Sequence, residues 1–224
     1  MTRFAELRSA ATAVGLAWRG AFAIARTDPD IRLPDQRAAR TVVLLGFVGA
    51  GHWSAFAASP EATDGEPNPL DRWSRRAIED LAGRFGAKGL YPNDGPPWLP
   101  FQQWARRAEG LHASPLGILI HPAWGLWHAY RGALALADAL PDEAMPGAPS
   151  PCDACSGRPC LTTYPVGAVA PGRYDVVACR AHVRSEAGRD CLELGCRARR
   201  ACPVGAEYRY VPAEAEFHMR AFIR

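Results

Sequence analysis

Seven cysteines lie between Cys152 and Cys202, and none precedes them. Their order is Cys152-x2-Cys155-x4-Cys160, then Cys179, then Cys191-x4-Cys196-x5-Cys202-Pro203. Thiolates held closely on one loop can reach several irons of a cubic cluster. A further cysteine, fixed by a following proline, points away and needs a partner loop. That is the logic of the bacterial run C-x2-C-x2-C-x3-C-P, whose fourth cysteine serves the other cluster of a pair. The first half of this cysteine region follows the run with two extra residues in the second gap and with Tyr164-Pro165 in the fourth place. The tetrapeptide Pro-Val-Gly-Ala occurs twice, 38 positions apart, once after Tyr164 and once after Cys202.

This logic yields eight ligand positions. Cys152, Cys155, Cys160 and Cys202 complete one 4Fe–4S cluster, and Cys179, Cys191, Cys196 and position 164 form the other. The repeat pairs Tyr164 with Cys202 as exchanged fourth ligands. Tyr164 then has several readings. It ligates iron weakly as a phenolate, or it leaves one iron open, giving a three-iron cluster or a place for an exogenous ligand. Another residue, with His182 the nearest in sequence, fills the position, or Tyr164 merely packs. Zinc also takes four thiolates, often from paired C-x2-C loops, but Cys-Pro in the fourth place belongs to the iron–sulfur pattern and seven cysteines exceed one zinc site. Buried cysteines without metal are a further alternative, against which the density of seven within 51 residues weighs.

The clustering favours metal over disulfides in a cytoplasmic protein, which is the expected location. The chain has no apolar run long enough to span a bilayer. Its first twenty residues read as an amphipathic helix rather than a signal peptide. Residues 1–151 carry 15 basic and 15 acidic side chains, and residues 152–224 carry 11 and 8. This mild excess gives no strong nucleic-acid signal, yet it would partly offset a negative cluster. The 25 arginines against one lysine reflect residue usage more than mechanism.

The elements that would position the cysteines can be read as well. Residues 1–140 suggest an α/β sandwich-like domain, 141–151 a Pro-rich linker, and 152–224 a small bacterial-ferredoxin-like iron–sulfur module with a C-terminal helix from Pro212. Phe4, Leu7, Ala11 and Val14 share a helical face ended by Gly15. "RTVVLLGFVG" (40–49) reads as a strand buried on both faces. Asn68 as cap, Pro69 and Asp71 open a helix whose face is Leu70, Trp73, Ala77, Leu81 and Phe85, ended by Gly86. "KGLY" (88–91) follows as a strand, an order that implies a parallel pair. "LGILIHP" (116–122) and "WHAYRGALALA" (127–137) suggest a hairpin around "AWGL", though the second could be a helix. "GFVGAG" (46–51) has G-x-x-G-x-G spacing, so it reads as a tight turn rather than a phosphate loop.

The cysteine region resembles the double 4Fe–4S ferredoxin-like module of epoxyqueuosine reductase and its cobalamin-dependent reductase relatives. They carry a first run of four cysteines, an isolated cysteine after a short helix, a close pair and a final Cys-Pro. These correspond here to Cys152, Cys155, Cys160 and Tyr164 in place of a cysteine, then Cys179, Cys191, Cys196 and Cys202. The gaps 191–196 and 196–202 are longer than in that family. A looser similarity covers "AEGLHASPLGILIHPAWGLWHAYRGALALAD" (108–138), "RTVVLLGF" and the helix 69–85. The resemblance implies an upstream domain that holds cobalamin and carries an acidic proton donor, for which Asp94 stands nearest in order.

The expected function is therefore a 4Fe–4S redox protein, passing electrons to a site in its own α/β domain or to an electron donor or acceptor protein. Whether it is an enzyme, an oxidoreductase, stays open. The alternatives are a cobalamin-dependent reductase and a non-redox zinc-binding scaffold. "HPAWGLWH" (121–128) and "GPPWLPFQQW" (95–104) could line a flat-ring pocket with His121 or His128 as ligand or proton donor. The competing reading for these residues, and for the single His52 and His112, is aromatic core and solvated histidine. Arg75-Arg76 and Arg106-Arg107 read as solvated helix faces.

Overall fold

The computed structural model describes residues 2–139, 148–170 and 173–224. They form two compact units, Met1–Gly110 with Ala129–Gly147, and Leu111–His128 with Ala148–Arg224. Residues 111–128 thus group with the cysteine-bearing segment, although the sequence suggests a boundary near 140. The physical reason is local. A Cβ on Gly125 would meet the Val204 carbonyl oxygen at 1.9 Å, and one on Gly205 would meet the Trp124 carbonyl carbon at 2.3 Å. The linker expected at 141–151 lies for the most part outside the described residues.

In the first unit, α1 (Arg3–Ala13) begins at Thr2, whose hydroxyl accepts from the Ala5 amide. It buries Leu7, Ala10 and Ala11, while Val14 falls at the cap and stays exposed. Next come β1 (Ala17–Ala23), β2 (Thr41–Val48) and the short α2 (Trp53–Ala57). β2 is buried along nearly its whole length, as its run of aliphatic residues requires. After it "GFVGAG" makes a turn, with Gly49 at φ +53. α3 (Pro69–Phe85) buries the expected stripe and also Ser74, Ile78 and Ala82, and Gly86 closes it at φ +54. Asn68 supplies no side-chain cap. It sits at φ 53 and ψ 50, and its backbone oxygen instead accepts from Asp71 and Arg72. Trp73 of α3 meets Phe47 of β2 with ring centroids 5.9 Å apart.

β3 (Lys88–Leu90) does not pair with β2. The sheet order is β1-β2-β6-β3, where β6 is His128–Leu136, so the second candidate segment is a strand rather than a helix. β3 runs antiparallel to β6. The Arg40 amide donates to the Leu136 carbonyl, and Gly46 lies against Ala129, so β2 and β6 are antiparallel as well. β2 and β3 therefore point the same way with β6 between them, and the expected parallel pair is absent from the described sheet. The hairpin is also redistributed. β4 (His112–Ala113) pairs with β5 (Leu119–Ile120), and the "AWG" turn closes only on a single bridge from His121 to Gly125.

α4 (Phe101–Glu109) packs on β1 through Trp104 and Phe22, centroids 5.8 Å apart. The register of β1 shifts between Trp18 and Ala21, where Arg19 and Gly20 lie. Arg19 is fully buried. It donates to both oxygens of Glu109, at 3.1 and 2.7 Å, and to the carbonyls of Phe47 and Ala129, at 2.8 and 3.2 Å. Tyr130 completes the network by donating to Glu109. Removing one partner of such a pair strands a buried charge. Glu109→Ala should lower the stability of this unit by about 3–5 kcal/mol, read as a lower urea midpoint by tryptophan fluorescence. The double variant Arg19→Met/Glu109→Leu should recover most of that loss. A single-variant cost under about 1 kcal/mol would show the pair to be dispensable.

Candidate metal centres

The second unit carries every cysteine. α5 (Pro159–Thr162) holds Cys160, and Arg158 before it adopts φ +36. The short strands β7 (Val169–Ala170) and β8 (Arg173–Tyr174) pair and lead into α6 (Val176–Arg184). Asp175 caps α6 by accepting from the Ala178 amide at 2.9 Å, which fixes the turn presenting Cys179. α7 (Arg189–Leu194) carries Cys191, and Cys196 precedes α8 (Arg197–Arg200). α9 (Pro212–Phe222) docks on α7 as the tail pattern suggests, with Met219 and Phe222 packed near Cys179 and Cys191.

Cys152, Cys155, Cys160 and Cys202 line one pocket, together with Pro151, Arg158, Pro159 and Pro203. Ile120 and Leu126 pack with Cys202 and form an apolar wall. Burial pushes the Cys152 and Cys160 thiols up, and the neighbouring thiols of the same set push them further. Burial also raises Cys202, against an opposing hydrogen bond from the Val204 backbone. Among the described residues, no three His, Cys, Asp or Glu side chains gather closely enough to hold a single metal ion.

Cys179 and Cys191 form a second, buried group, with Tyr164 packed against it. Cys196 belongs to it, since charge on Cys179 raises Cys196 and charge on Cys196 raises Cys191. The largest cause in both is burial, opposed by backbone hydrogen bonds from Ala198 and Arg199 to Cys196 and from Arg197 to Cys191. The Tyr164 hydroxyl donates to the Cys179 sulfur. The Tyr174 hydroxyl donates to the same atom at 3.3 Å. Burial, followed by donation to Cys179, pushes both phenols above the ordinary tyrosine range. Sequence reasoning places Tyr164 beside this set but misses Tyr174, which follows no spacing rule and is placed by the pairing of β8 with β7.

The two Pro-Val-Gly-Ala segments share a backbone feature. Gly167 is at φ +61 and Gly205 at φ +67, and each segment follows a short helix, α5 or α8. Those two helices pack on each other. Arg199 of α8 donates to the Leu126 carbonyl at 3.1 Å and lies 4.5 Å from the ring centroids of both Trp127 and Tyr210.

The other candidates are taken up by structure. His52 stacks on Phe47 at 3.4 Å. His121 stacks on Trp124 at 3.9 Å and accepts from the Ala123 amide at 3.0 Å. His128 pairs with the Leu119 carbonyl at 3.1 Å, and His112 with the Ala148 carbonyl at 2.8 Å. Trp104 is core, whereas Trp98 is 64% exposed. Arg75, Arg76 and Arg107 pair with Asp94, Glu61 and Asp28. No helix among the described residues is long and apolar enough to cross a membrane.

No family model matches the chain, and no curated protein matches it in sequence. Solved structures of epoxyqueuosine reductase share its fold. A selenomethionine-labelled epoxyqueuosine reductase aligns with a TM-score of 0.54 and 13% identity, over 95% of this chain and 68% of that one. Epoxyqueuosine reductase from Streptococcus thermophilus aligns with a TM-score of 0.51 and 14% identity, over 92% of this chain and 66% of that one. The chain thus has the fold of these reductases and spans about two thirds of their length.

The cysteine grouping is testable without any cofactor. Mild oxidation of the metal-free protein should form disulfides within the set 152, 155, 160 and 202 or within the set 179, 191 and 196. Peptide mapping should detect bridges such as Cys152–Cys202. A dominant bridge between the sets, such as Cys155–Cys196, would contradict the grouping.

Proposed function

We propose that this protein is an iron–sulfur redox protein. Cys152, Cys155, Cys160 and Cys202 would hold one 4Fe–4S cluster, and Cys179, Cys191 and Cys196 would hold a second beside Tyr164. The observation that carries the reading is the single pocket lined by Cys202 and by three cysteines 42 to 50 residues earlier. Four thiols lining one pocket suit a cluster with one iron at each corner. A lone zinc would draw four sulfurs to about 2.3 Å from one atom. The cluster supplies one-electron storage and transfer when bound. The chain's own groups do the rest. Apolar Ile120 and Leu126 limit solvent on one side, and backbone hydrogen bonds from Val204, Arg197, Ala198 and Arg199 offset charge on the sulfurs. Electrons would pass to a site in the α/β unit or to a partner protein, and a cytoplasmic setting would keep the thiols reduced.

The fold likeness favours a second reading, a cobalamin-dependent reductase. One recess of the first unit is lined by Asp71, Arg75, Tyr91, Pro92, Asn93 and Arg131. Its charges are already paired, Arg131 with Asp71 and Arg75 with Asp94. That lining does not fit an apolar-faced macrocycle.

Anaerobic reconstitution with iron and sulfide tests the proposal. The protein should turn brown, bleach with dithionite and contain about eight irons per chain. Cys152→Ala and Cys202→Ala should abolish the same EPR signal, and Cys191→Ala and Cys196→Ala the other. A colourless protein that binds zinc stoichiometrically would sink the reading. So would Cys202→Ala abolishing the signal that Cys191→Ala abolishes.

A further inference from the structure

We infer that His182 is the fourth protein ligand of the second centre, binding through Nε2 the iron for which Cys179, Cys191 and Cys196 supply no thiolate. This rests on the iron–sulfur reading of that centre. A cluster of four irons takes four ligands, and the second set holds three cysteines. His182 lies one turn after Cys179 on α6. The buried residues of that helix are Cys179, His182 and Val183, which share a stripe at helical spacing. Cys179 and Val183 pack with Cys191. The stripe that carries His182 therefore packs against the second set.

The imidazole itself carries the assignment. His182 is nine-tenths buried. Its Nε2 is shut off from solvent and, among the described residues, has no hydrogen-bond partner. Buried polar atoms are nearly always partnered, and a bound ion is one of the ordinary explanations for one that is not. The backbone beneath the ring is firmly held. The His182 carbonyl accepts from the Ser185 amide at 2.9 Å and from the Ser185 hydroxyl at 2.7 Å. Gly188 then passes so close that a Cβ there would meet the same carbonyl oxygen at 1.9 Å. Cys191 follows three residues later on α7, which packs on α6. Cys179, His182 and Cys191 are thus carried by two short helices pressed together.

The chemistry of the group agrees. Imidazole ligates metal in its neutral form, and it replaces cysteine on one iron of Rieske centres. A phenol must first give up its proton. Tyr164, which the repeated tetrapeptide sets in frame with Cys202, is the rival ligand that the experiment must separate from His182.

Electron–nuclear spectroscopy on the reconstituted full-length protein, carrying nitrogen-15 in its histidine rings, reads the bond directly. After reduction, the EPR signal that Cys191→Ala abolishes should show a strong nitrogen-15 coupling. The signal that Cys202→Ala abolishes should show none. His182→Ala should remove the coupling, and Tyr164→Phe should keep it. His182→Cys should remove it while retaining about eight irons per chain, which reports an intact fold. The midpoint potential of its second cluster should fall, because a thiolate brings a negative charge that neutral imidazole lacks. Two clusters without any histidine coupling would overturn the assignment and leave the iron–sulfur reading intact. So would a coupling that survives His182→Ala, or a second cluster lost in Tyr164→Phe yet unchanged in His182→Ala. If Cys191→Ala left the iron content unchanged, the second cluster itself would be refuted, and the assignment with it.

Discussion

The constraint on which this structure depends is that Cys202 must reach a pocket built by cysteines 42 to 50 residues earlier in the chain. A loop of that length has a closure entropy that grows only slowly with length, but the return must be held in place. Packing of α5 on α8 holds it from one side. From the other, the backbones of Gly125 and Gly205 approach too closely for any Cβ at either position. Arg199 fastens the corner by donating to Leu126 and lying against Trp127 and Tyr210. This explains why residues 111–128, which carry no cysteine, belong with the cysteine-bearing unit.

The grouping of Cys152, Cys155 and Cys160 with Cys202 about one pocket was legible because it follows from spacing, and spacing survives in a linear sequence. The repeated tetrapeptide was legible for the same reason, and its two glycines do adopt one conformation. Tyr174 was not legible. It reaches Cys179 through the β7–β8 pairing and has no fixed offset from any cysteine that could have marked it. The histidines left two readings open, ligand or packed side chain. His121 and His128 look like ligands in a string of aromatics, yet each is spent on a nearby backbone group or a stacked ring. Strand order was the other loss. A β–α–β succession implies a parallel pair only if no later strand intervenes, and β6 does.

The first unit shows where stability and chemistry separate. Its most demanding feature is Arg19, buried entirely and bound to Glu109 across the β1–α4 interface. Such a pair gives little net stability but penalises any packing that leaves either charge alone. No composition or periodicity rule announces it, because Arg19 sits in a strand that otherwise reads as ordinary. The likeness to epoxyqueuosine reductase structures covers nearly all of this chain at 13–14% identity. At that distance an architecture is shared, and the chemistry must be argued from the site's own residues.

The central claim is that two separate cysteine sets hold two iron centres. Anomalous scattering at the iron edge from crystals of the anaerobically reconstituted protein tests it most directly. The account predicts two iron centres, one ringed by Cys152, Cys155, Cys160 and Cys202, the other by Cys179, Cys191 and Cys196. A single centre drawing ligands from both sets, or a zinc peak in place of the first, would contradict it.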